Sequence, residues 1–74
     1  MVDILKMILT AHVKKHANAN YDKDGWDYIV ECFTDAELGE LIGNADTPNE
    51  AIRRVSRTAK LYNERRREIQ AEAF

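Results

Sequence analysis

His12 and His16 are the only histidines in this 74-residue chain, and their i,i+4 spacing sets two imidazoles on one face of a helix. Two such rings can share a zinc-like ion, with Cys32 or a carboxylate from Asp22, Asp24, Asp27 or Glu31 completing the shell. The intervening Val13, Lys14 and Lys15 include no glutamate to act as a metallohydrolase base, and one cysteine is fewer thiolates than a structural zinc site uses. The competing arrangement leaves both rings neutral and partly buried, donating to acidic side chains of the loop that follows. Carboxylate pairing of that kind would make the fold sensitive to pH near neutrality.

No nucleophile, base and orienting acid fall together, no glycine-rich phosphate loop is present, and no two carboxylates share an apolar pocket. Chains below about 80 residues also rarely enclose a deep, dry cleft. The expectation is therefore a non-enzymatic protein without a cofactor. Cys32 alone excludes an intramolecular disulfide, and the N-terminus lacks the pattern of a signal peptide, so a cytoplasmic location is expected. The apolar run from Ile4 to Leu9 is interrupted by Lys6 and falls far short of the about 20 residues that cross a bilayer.

The elements that must position these residues are all helical. From Asp3 to Ala17 the apolar residues recur at helical spacing, with Val2, Ile4, Leu5, Ile8, Leu9 and Val13 on one half of the wheel and Asp3, Lys6, Thr10 and Lys14 opposite. This wheel puts His12 and His16 in the apolar half. Residues 18–25 have turn chemistry and form the main loop. A second helix is predicted from Trp26 to Phe33, with Trp26, Ile29, Val30 and Phe33 sharing a face. Thr34-Asp35-Ala36-Glu37 is a capping box that opens a short third helix carrying Leu38, Leu41 and Ile42, closed by Gly43. Thr47-Pro48-Asn49-Glu50 opens the fourth, which meets no further glycine or proline to its end.

That last helix, about 25 residues and 37 Å, is longer than the roughly 29 Å breadth of a compact chain of this size. It should overhang its own body. Ala51, Ile52, Val55, Ala59, Tyr62 and Ile69 form its inner face, and Arg53, Arg57, Lys60 and Arg67 lie opposite. The predicted fold is a small all-α single-domain bundle of three to four helices spanning 1–74, with a long C-terminal helix.

The net charge of −2 conceals a segregation. Residues 18–50 hold nine acidic side chains against Lys23, whereas residues 51–67 hold seven basic ones against Glu64. The two fields cancel if the basic helix packs beside the acidic segment; otherwise the basic face is available to an acidic partner.

Two local resemblances bear on function. Asn20-Tyr21-Asp22-Lys23-Asp24-Gly25, continued to Glu31, resembles the twelve-residue EF-hand calcium loop in its alternating oxygen ligands, sixth glycine and twelfth glutamate. It departs at Asn20, at Asp27 in the usual aliphatic position, and in having no second hand. An ordinary loop, capping the next helix through Asp24 or Asp27, is the alternative. Residues 34–57 resemble a repressor-type helix-turn-helix, with Leu38, Gly39, Ile42 and Gly43 in the packing and turn roles. That resemblance implies a DNA-binding regulator in which Asn49 and Arg53 face base edges and Arg54 and Arg57 the backbone. Here Asn44 follows the turn glycine, the connection is lengthened, and the surrounding acid repels phosphate.

The leading expectation is a protein–protein interaction module, regulatory, accessory or inhibitory, whose contact surface is Arg53, Arg57, Lys60, Leu61, Arg65, Arg67, Ile69 and Phe74. A homodimer burying Leu61, Ile69 and Phe74 is a further expectation, each large side chain contributing up to about 1.5–3 kcal/mol. No membrane association is expected.

Overall fold

Three of the four helices in this protein start where a side chain accepts the orphan N–H groups of a first turn, and the other starts at a glycine. In the computed structural model, which describes residues 3–72, these are α1 (Ile4–Ala19), α2 (Trp26–Cys32), α3 (Asp35–Ile42) and α4 (Pro48–Glu72). Asp3 accepts from the Lys6 N–H at 3.1 Å to start α1. Thr34 accepts from Glu37 N–H at 3.2 Å while the Glu37 carboxylate accepts from Thr34 N–H at 3.0 Å, the full capping box expected of α3. At α4 the box is half formed. Thr47 accepts from the Glu50 N–H, but the Glu50 carboxylate turns back to the Asp46 N–H and to Arg54.

The helices form a small all-α bundle without strands among the described residues. α1 and α4 pack on each other, and α2 and α3 each pack on both. The core is Leu9, Val13 and Ala17 of α1, Trp26 and Ile29 of α2, Leu38 and Ile42 of α3, Ala45, and Ala51, Val55 and Ala59 of α4. Gly43 closes α3 at φ +59, a left-handed value that a side chain resists. Gly25 carries a second such conformation at φ +84 and lies against the α4 backbone.

α1 corrects the sequence reading. Its buried face is Leu9, Thr10, Val13 and Ala17, whereas Ile4, Leu5 and Ile8 are exposed; Val2 lies outside the described residues. Thr10, expected on the outer face, is buried and donates its hydroxyl to the Lys6 carbonyl at 2.8 Å. The N-terminal half of this helix is apolar nearly all round, so its period does not select a face; packing against α3 does. Gly39 of α3 lies beside the Lys6 stem, and Lys6 and Thr10 both turn toward that helix. In α2, Val30 is exposed rather than inward, and Phe33 is a half-buried cap residue just past the helix.

α4 is unbroken over 25 residues, and the molecule extends 49 × 21 × 18 Å. Its Cα radius of gyration of 13.1 Å exceeds the about 11 Å of a compact chain of this length. From Glu64 onward every described side chain is exposed, so the last turns leave the body, and Ile69 goes with them instead of joining the core.

Candidate partner-binding surface

The outer side of α4 is set by where its small apolar residues go. Ala51, Val55 and Ala59 recur every four residues and are buried against the body, which points Arg53, Arg57 and Lys60 outward. Asn49 precedes them and Arg67 continues them on the same stripe. Arg53 to Arg67 spans about 21 Å of helix axis. All of these side chains are exposed, as is Arg65 on a neighbouring face. Leu61 stands beside the stripe, 65% exposed, whereas Ile69, 58% exposed, lies on the opposite side of the helix in line with Ala51. Phe74 lies outside the described residues.

Two arginines of α4 are spent on the protein itself. Arg66 binds Asp27 of α2 in a bidentate fork, at 3.0 and 2.9 Å. Arg54 bridges the Ile42 carbonyl, Asn44 and Glu50 at 3.2, 2.9 and 3.0 Å, tying α4 to the turn after α3. Only the first of these joins the basic helix to an acidic side chain of the segment before it across the fold. Arg67 borders a 370 Å³ polar groove shared with Asp22, Asp24 and Asp27, without an ion pair of its own. Charge cancellation is thus local, and Arg53, Arg57, Lys60 and Arg65 make no ion pair among the described residues.

The Arg66 hydrogen bonds hold the Asp27 carboxyl below its ordinary range, and the Asp46 N–H, followed by Arg54, does the same for Glu50. A carboxyl depressed on folding adds stability above its unfolded value, near 4, and that contribution disappears as pH falls through the folded value. Arg66→Gln is expected to raise the Asp27 titration toward the ordinary aspartate range and make the acid limb of the stability curve shallower. Carboxyl-detected NMR titration of wild type and variant checks this; an unmoved Asp27 would remove the pair from the account.

The residues of the metal reading do not converge. His12 is exposed, while His16 is half-buried with its ring edge-to-face on Trp26 at 4.9 Å and its backbone carbonyl accepting from the Asn20 amide at 2.9 Å. Neither ring meets a loop carboxylate. Cys32, Asp22 and Asp24 are exposed, and no three histidine, cysteine or carboxylate side chains cluster among the described residues. In the calcium-like loop Asn20 is the C-cap of α1, Glu31 accepts from the Tyr21 hydroxyl, and α2 begins directly after Gly25. Neither Asp24 nor Asp27 caps that helix; Gly25 occupies the position.

Of the residues that the helix-turn-helix resemblance implies, Asn49, Arg53 and Arg57 share the exposed stripe, but Arg54 is engaged with α3's end and Glu50. The connection Gly43–Thr47 passes through buried Ala45. Sequence reasoning missed the inward duty of Arg54 and Arg66, because each partner is fixed by packing rather than by adjacency. It also missed the exposed apolar side of α1, for which the all-round apolar run was the available signal.

Comparison with protein-family models, curated proteins and solved structures finds no match to this chain. Its function has to be argued from the geometry above.

Proposed function

We propose that this chain acts by binding, not by catalysis, and that the outer stripe of α4 is its contact surface for an acidic protein partner. The observation that carries the reading is that Arg53, Arg57 and Lys60 are all exposed on one unbroken helix with no ion pair among the described residues, next to exposed Leu61. An exposed row of like charge on a preorganised element steers an oppositely charged surface and costs little ordering entropy on binding. Leu61 supplies apolar contact beside it. Among the described residues no helix is long and apolar enough to cross a membrane, and the free thiol of Cys32 suits a reducing cytoplasm.

The test is parallel affinity capture from the host with wild type and with Arg53→Glu, Arg57→Glu and Lys60→Glu combined. These positions are exposed, so helicity and melting should stay close to wild type. A protein held by wild type at low salt, released as salt rises and lost with the triple variant is the expected result. Identical protein sets on both baits would overturn the reading. So would a mobility shift with random duplex DNA that the triple variant abolishes, since that outcome favours the helix-turn-helix alternative through Asn49, Arg53 and Arg57.

A further inference from the structure

We infer that the outer face of α1 is an interface between two copies of this chain, packed antiparallel, on the side away from the α4 stripe's basic residues. Ile4, Met7 and Ile8 are 70%, 60% and 50% exposed, Leu5 is 47% exposed, and Ala11 continues the strip. Spacings of three, four and seven put Ile4, Met7, Ile8 and Ala11 on one side, opposite the buried Leu9, Val13 and Ala17. A helix apolar on both sides in this way calls for a second cover.

The strip runs beside a 470 Å³ groove between α1 and α3, floored by Met7, Ala11, Ala36 and Gly39. Ala11, Ala36 and Gly39 are small and leave room for side chains from a facing helix. The exposed apolar side chains amount to about 400 Å², which falls in the range where a patch on a monomer has a use. Even with the groove walls added, the area per copy stays below the about 800 Å² of a standard interface, so micromolar rather than nanomolar association is expected.

Charge around the strip selects the occupant. Asp3, Asp35 and Glu40 balance Lys6, Lys14 and Lys15; Lys14 pairs with Asp35 of its own chain at 2.9 Å, which leaves Asp3 at the start of α1 and Lys15 toward its end. Antiparallel pairing sets Asp3 of one copy near Lys15 of the other and lays Ile4, Met7 and Ile8 over the region of Ala11. An interface that meets itself needs such self-complementarity. An anionic membrane gains nothing from a rim with no net charge. Leu61 and Ile69 are a weaker choice for self-association, because Glu64, Arg65 and Glu68 separate them.

Sedimentation equilibrium from about 5 µM to about 1 mM, spanning the affinity of a small interface, tests the proposal. Wild type is expected to move from monomer to dimer across this range, with Ile8→Glu and Met7→Lys remaining monomeric and equally helical. Leu61→Glu should dimerise like wild type. A wild type that stays monomeric at 1 mM, on the order of the weakest measurable affinity, would overturn it. So would dimers that survive Ile8→Glu but fail with Leu61→Glu, or a monomer that binds phosphatidylserine vesicles through the α1 strip. None of these outcomes bears on the α4 variants above.

Discussion

Gly25→Ala is expected to lower stability by about 3 kcal/mol or more, enough to leave much of a 74-residue protein unfolded at ambient temperature. Two independent penalties add. At φ +84 a side chain costs roughly 1–2 kcal/mol by itself. A Cβ built there would lie 2.2 Å from the Ala59 carbonyl oxygen and 2.9 Å from its carbon. Both atoms belong to backbone inside an unbroken helix, so neither can swing aside as a side-chain tip could. Relief would have to come from moving the α1–α2 loop off α4, which would also pull Trp26, the next residue, out of the core. The control is Gly39→Ala. That glycine is helical, and its added Cβ would meet only the flexible Lys6 stem at 3.4 Å, so a change between neutral and about 1 kcal/mol stabilising is expected. Urea melts of the three proteins measure the difference, and equal midpoints for Gly25→Ala and wild type would refute the close approach.

The same contact explains a glycine that the EF-hand comparison accounts for by calcium geometry. Gly25 sits at the loop's sixth position, and a tight turn there is also what allows the chain to reach α4. Its partner, Ala59, is 34 residues away, and no local pattern reports that distance. The ends of α3 and α4 were legible because their causes are adjacent: Thr34 with Glu37, Gly43 after Ile42, and Thr47 before Pro48. The length and outer stripe of α4 were legible for a related reason. Alanines and Val55 on one side against arginines and Lys60 on the other leave a single way to bury the helix. Most of the candidate surface was therefore readable as a list of exposed residues, but not Arg54 and Arg66, whose role depends on Ile42 and Asp27 arriving from other elements.

α1 resisted the same reasoning, and two isoleucines that sequence pattern treats alike make the difference measurable. Ile42 is fully buried in the core cluster that includes Leu9, Leu38 and Val55; Ile8 is half exposed. Ile42→Ala should cost about 2–5 kcal/mol, the loss of transfer energy plus the cavity left behind, and should abolish cooperative melting in a domain this small. Ile8→Ala should change monomer stability by less than about 0.5 kcal/mol, since alanine's better helix propensity offsets the little packing removed. The comparison belongs at low micromolar concentration, where self-association adds nothing to either melt. As concentration rises, linkage predicts that the wild-type melting temperature climbs while that of Ile8→Ala stays level, because only the folded chain can dimerise. Equal losses for the two alanine variants would mean that α1 buries the face carrying Ile4 and Ile8 after all, and the strip proposed for self-association would then be part of the core.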